Sequence, residues 1–114
     1  SGKISRSFSL QKKHLGTDIV GKKGDAVKAA VDGTVIYKGY SLDDGNIVIL
    51  SHGDNLQSVY KHNEEVLKNV GDKVKAGDPI ATVGNTGENT SGYHVHFEIW
   101  HNGQAVDPEN YISF

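Results

Sequence analysis

A chain of 114 residues suffices for one domain, residues 1–114, with a single core that takes about two thirds of the unfolded surface out of water. A net charge of −2, with lysines scattered among acids, supplies neither the basic stripe that tracks nucleic acid nor a block that seeks an anionic membrane, so neither is expected as a partner. Cysteine is absent, which excludes disulfides and leaves nitrogen and oxygen as the donors for any zinc.

The chain opens on Ser1-Gly2, which reads as a tag remnant ahead of an excised domain, and it has neither a run of about 18 apolar residues nor a signal-peptide pattern. Fourteen glycines, two prolines and frequent Val, Ile, Thr and Tyr predict short strands joined by tight turns. Ile4, Phe8 and Leu10 fall at even positions among serines, the alternation of a strand with one packed face. His14-Leu15-Gly16-Thr17-Asp18 follows; residues four apart return to one face of a strand, so His14 and Asp18 converge whether the backbone is extended or bent at Gly16.

Lys23-Gly24-Asp25 is a turn, then a short segment from Ala26 to Ala30, a second turn at Asp32-Gly33 and a strand through Thr34-Val35-Ile36-Tyr37. Asp43-Asp44-Gly45 separates this strand from Asn46-Ile47-Val48-Ile49-Leu50 and predicts a hairpin. Gly53-Asp54-Asn55 reverses the chain into a strand from Leu56 to His62, with His62 at its end on the same side as Tyr60. Residues Asn63 to Asn69 fit one helical turn or an irregular connection. Gly71-Asp72-Lys73-Val74-Lys75-Ala76 then echoes Gly24-Asp25-Ala26-Val27-Lys28-Ala29, so two similar β units pack into one sandwich or barrel. Ile80-Ala81-Thr82-Val83 is a further strand, and the polar loop from Gly84 to Gly92 delivers the chain to His94. The fold class expected is all-β and mainly antiparallel.

In His94-Val95-His96-Phe97-Glu98-Ile99-Trp100, Val95, Phe97 and Ile99 alternate with His94, His96 and Glu98. A strand here buries one face and carries two imidazoles and a carboxylate on the other, the histidine Cα atoms about 7 Å apart. Asn102-Gly103 closes a last hairpin, and Asp107-Pro108 marks the exit. A catalytic zinc takes three protein ligands and an open position for water. Choosing three from His14, Asp18, His94 and His96 leaves one spare histidine, with His62 as another, a surplus suited to acid–base work beside a metal. His52 reads as a turn residue or a hydrogen-bonding residue at a cleft rim, and His101 as solvated. Glu98 reads as an acceptor that orients an imidazole or a loop amide, and Tyr60 as a packed aromatic.

Four patterns in order, His14-Leu15-Gly16-Thr17-Asp18, Tyr60-Lys61-His62, Gly84-Asn85-Thr86-Gly87 and His94-Val95-His96-Phe97-Glu98, resemble the signatures of the lysostaphin/LytM-type zinc endopeptidases, which cut peptide cross-links of bacterial peptidoglycan. The resemblance runs from His14 to Asp107-Pro108. It implies a small fold of the duplicated-hybrid-motif kind, zinc (Zn2+) held by His14, Asp18 and His96, and His62 with His94 as the catalytic pair. It further implies hydrolysis of an amide in peptidoglycan stem peptides or cross-bridges, as a D,D-endopeptidase in preference to a glycyl-glycine endopeptidase, in the cell envelope. Leu15 and Tyr93 stand where proline is common in the family, and the 88–93 segment is a residue longer than its shorter form; both departures bear on substrate fit. Two rivals follow from other classes: a cell-wall-binding or regulatory scaffold of the same fold, and a biotin- or lipoate-carrier-like module suggested by the Gly-Asp echo.

Overall fold

A computed structural model of the chain describes residues 3–6, 16–84 and 93–108. Among them the backbone forms β1 (Lys3–Arg6), β2 (Thr17–Val20), β3 (Ala26–Lys28), β4 (Gly33–Ser41), β5 (Gly45–Ser51), β6 (Leu56–Val66), β7 (Lys73–Val74), β8 (Pro79–Val83), β9 (His94–His101) and β10 (Gln104–Val106). The sheet runs β1-β2-β9-β6-β5-β4-β7, with β10 on β9 and with β8 between β6 and β3. Every pairing is antiparallel, as the turn-rich composition predicts. Phe8, Leu10, Ser1-Gly2 and the polar loop after Gly84 lie outside the described residues.

The segment from Asn63 is neither helical nor irregular at its start, because β6 continues to Val66. Its first part pairs with β9, from Leu56 to Lys61, and its last part pairs with β8, from Asn63 to Val66. The strand therefore turns a corner at residues 61–63 and joins two parts of the sheet, the kind of bend that a β-bulge produces.

The Gly-Asp echo is structural and has a third copy. In the turns Lys22–Asp25, Asn69–Asp72 and Lys75–Asp78 the aspartate amide donates to the carbonyl of the first residue, at 3.0, 3.0 and 2.9 Å. The aspartate carboxylate in turn accepts the first residue's amide, at 3.0, 2.8 and 2.8 Å. The third position has φ of 86°, 97° and 90°, a left-handed conformation that glycine takes without a Cβ clash. These turns lead into β3, β7 and β8, whose Val27, Val74 and Ile80 are buried.

The core gathers Val35, Val48, Leu50, Tyr60, Ile80, Ala81, Val83, Val95, Phe97 and Ile99. Tyr60 and Phe97 are cross-strand partners, their rings 5.1 Å apart and tilted by 49°. The Tyr60 hydroxyl accepts the Ala30 amide at 3.1 Å and lies 3.1 Å from Ser58 Oγ, which is 2.7 Å from His52 Nε2. Burial pushes the Tyr60 phenol above its ordinary pKa, against the opposing effect of these two hydrogen bonds. His52 Nδ1 lies 2.7 Å from the Asp32 carbonyl, which can only accept, so Nδ1 carries the proton there. His52 is thus the hydrogen-bonding residue of the two expectations.

Candidate metal centre

Strand β9 sorts its side chains as the alternation predicts. Val95, Phe97 and Ile99 enter the core, and His94 and Glu98 on the opposite face are also covered, at 8% and 5% exposure. The site face is therefore shielded from solvent at these two positions, where electrostatic effects are stronger than at a wet surface.

Strand β6 brings the third imidazole. Lys61 is the cross-strand partner of His96 and Tyr60 that of Phe97, so regular alternation would send His62 towards the core with Tyr60. The structure corrects that expectation. The pairing with β5 jumps from Val48↔Tyr60 to Asn46↔Asn63, which sets Lys61 and His62 together against Ile47. His62 takes φ of 65°, uncommon outside glycine, and its ring arrives 5.4 Å from that of His94 and 6.3 Å from that of His96. Side chains hold the bulge in place. Asn63 Nδ2 donates to the carbonyls of Tyr60 and Asn46 at 2.9 and 3.0 Å, and Asn46 Nδ2 donates to those of Asn63 and Glu64, both at 3.1 Å. The His62 amide donates to the Asp44 carbonyl at 2.8 Å.

Strand β2 lies against the other side of β9, and its register sets Asp18 opposite His96. Just before it, Gly16 is buried against the site face. A Cβ at that position would stand 2.8 Å from His96 Nε2 and 2.9 Å from Glu98 Cγ, and closer still to the Phe97 carbonyl. The glycine of the His-x-Gly-x-Asp pattern thus has a steric reason. His14 lies outside the described residues. The structure therefore brings together His62, His94 and His96, with Asp18 at the facing register position, and does not describe the remaining expected ligand.

Glu98 is the electrostatic hub of this face. One carboxylate oxygen is 2.8 Å from His96 Nε2 and 3.0 Å from Lys61 Nζ, and the other accepts the Trp100 indole N–H at 2.8 Å. Burial works to raise the carboxyl's pKa, but the bonds to His96 and Trp100 and the charge and bond of Lys61 outweigh it and hold the group at about 2. Burial likewise works to lower the Lys61 ammonium, and Glu98 with Asp44, 3.4 Å away, holds it above its ordinary value. Among the described residues no three His, Asp or Glu side chains are grouped as a complete metal cage. The donor chemistry that is present nonetheless suits zinc. Glu98 holds Nε2 of His96 and so directs Nδ1 elsewhere, which is how a carboxylate orients a ligating imidazole.

Four residues of this arrangement carry no expectation of a role at the site from sequence: Asp44, Asn46, Lys61 and Asn63. Lys61 was the most accessible of them, because strict alternation already sets position 61 on the face of His96. His101 is a half-buried residue at the end of β9, paired through its backbone with Leu56 and Gln104, rather than a solvated one.

The model of peptidase family M23 matches residues 12–108. The chain is 42% identical over 113 residues to the murein hydrolase activator NlpD of Escherichia coli strain K12, across 97% of this chain and 29% of that protein. The chain thus spans less than a third of that relative's length. Its fold superposes on a zinc-containing peptidase from Vibrio cholerae with a TM-score of 0.89 at 30% identity, covering 93% of this chain and 35% of the other. It also superposes on the catalytic domain of the antimicrobial peptidase lysostaphin from Staphylococcus simulans, with a TM-score of 0.79 at 33% identity, covering 86% of this chain and 77% of the other.

Proposed function

The chain belongs to peptidase family M23, and from that premise we propose that the domain serves peptidoglycan turnover in the cell envelope as a regulator that activates a murein hydrolase. The observation that carries this reading is the 42% identity, along 97% of the chain, with a protein named for that activity. A stiff antiparallel domain, cross-braced by its turns and by the Asn46–Asn63 pair, suits a role in which a fixed surface is presented to a partner.

A specific observation favours a second reading, zinc-dependent endopeptidase action on peptidoglycan cross-links. It is the approach of the His94 and His96 rings to that of His62, at 5.4 and 6.3 Å, beside the register position of Asp18. In this reading His14, Asp18 and His96 hold the ion. Zinc when bound lowers the pKa of a water and polarises a carbonyl. His62 and His94 divide two tasks, taking up and returning a proton and stabilising the charge that develops on oxygen. The D,D-linked cross-bridge is the preferred substrate over a glycine bridge.

One experiment separates the two. Labelled peptidoglycan is incubated with the domain and zinc, with a murein hydrolase, and with both. Activation predicts no release by the domain alone, a several-fold rise in the hydrolase's release, and indifference to His62→Ala. Endopeptidase action predicts new amine termini from the domain alone, lost in His62→Ala. No effect on either measure removes both readings.

A further inference from the structure

We infer that Lys61 is a positioning residue of the histidine cluster, tying the β4–β5 turn to the imidazole of His96 and so setting His62 and His96 relative to one another. The inference rests on the histidine cluster being a working centre, the second of the two readings above.

The contacts form a closed ring. From His62, the amide donates to the carbonyl of Asp44 at 2.8 Å. The Asp44 carboxylate lies 3.4 Å from Lys61 Nζ, and Nζ lies 3.0 Å from the Glu98 oxygen that also meets His96 Nε2 at 2.8 Å. The rings of His96 and His62 then meet edge to face with centroids 6.3 Å apart, which closes the circuit. Asp44 is itself held, its amide donating to Ser41 Oγ at 3.0 Å.

Two features separate this lysine from an ordinary surface ion pair. Its side chain is only 20% exposed and its main acceptor 7%, so the pair is shielded from the solvent and salt that make exposed bridges worth little. It also sits immediately before a residue with φ of 65°, a conformation that persists only where its surroundings over-determine it. The hydrogen bond from His62 to Asp44 fixes the bulge from one side. The bridge from Lys61 to Glu98 fixes it from the other, and the Lys61 ammonium, 3.4 Å from the Asp44 carboxylate, links the two restraints.

The test uses the full 114-residue chain, free of metal and then with zinc chloride alone. In the metal-free protein, nuclear Overhauser contacts of the His62 ring with the His96 and His94 rings are measured for the unaltered chain, Lys61→Met, Lys61→Arg and Asp44→Asn. We expect them to weaken at least threefold in Lys61→Met and to persist in Lys61→Arg. Zinc affinity, read by competition with a chelating dye, is expected to fall at least tenfold in Lys61→Met and to stay within threefold in Lys61→Arg. Asp44→Asn, which keeps the carbonyl and removes the charge, is expected to fall between them and serves as the deciding variant if Lys61→Met does not fold. Unchanged ring contacts in Lys61→Met, or equal losses in Lys61→Met and Lys61→Arg, overturn the inference. An unaltered chain that binds no zinc removes the metal reading, and the ring contacts then decide the positioning role by themselves.

Discussion

Asn46 and Asn63 bond reciprocally to one another's main chain across the corner of β6, each side-chain amide donating to the other's carbonyl, at 3.0 and 3.1 Å. Asn63 is fully buried and its amide also satisfies the carbonyl of Tyr60 at 2.9 Å. Replacing it with alanine leaves buried carbonyls without these donors, at about 1–3 kcal/mol for the group left unmet. Asn63→Ala is therefore expected to lower the urea midpoint with an unchanged slope and to loosen the position of His62. A midpoint equal to that of the unaltered protein would show that the bulge stands without it.

His62 carries a conformational penalty where it stands. At φ of 65° a glycine is free of the strain that an L side chain bears, while any truncation gives up the packing of a ring that is 4% exposed, so His62→Gly is expected to be more stable than His62→Ala by about 1 kcal/mol. The same substitution removes one of the three grouped imidazoles. Denaturation of the two variants side by side checks the sign, and a glycine variant no more stable than the alanine variant would show that this backbone position carries no strain.

Gly16 admits no side chain. A methyl group there meets the Phe97 carbonyl and stands 2.8 Å from His96 Nε2, so Gly16→Ala must push β9 or the His96 ring aside. The expected cost is about 1–3 kcal/mol of stability, as for other overpacked sites. Zinc affinity, measured by titration calorimetry, should fall with it; an alanine variant that is as stable and binds as well would show that the two segments do not come this close.

The carboxyl of Glu98 contributes to the acid limb of stability. Its pKa in the folded protein is about 2, below its ordinary value of 4.5, so the folded state binds this proton less readily than the unfolded chain. The stabilisation is present in full above pH 4.5 and is lost as pH falls through the range towards 2. Equilibrium unfolding between pH 6 and 2 should show a slope that Glu98→Gln flattens, with the two curves converging at the acid end. Parallel curves would assign the acid sensitivity to other carboxylates.

How far the site was readable follows from where the pattern is regular. Val95 to Trp100 keeps period two, so the core face and the imidazole face of β9 follow directly from the spelling, and the Asp43-Asp44-Gly45 and Asn102-Gly103 turns close the hairpins they predict. At His62 the same rule gives the wrong face. A bulge is one extra residue, with no compositional mark beyond the residues that hold it, and Asn46 and Asn63 are 17 positions apart in the chain. For Lys61 alternation gives the face but not the role: a lysine in a strand is usually solvated, and only the arrival of Asp44 and Glu98 on either side gives it a place beside His96.

The left-handed residue at the corner of β6 also says where this arrangement is vulnerable. The local backbone preference favours glycine, so the imidazole keeps its place through the neighbours that over-determine the corner: the amides of Asn46 and Asn63 and the carbonyl of Asp44. Damage to any of these anchors would displace the ring while leaving every histidine in the chain untouched.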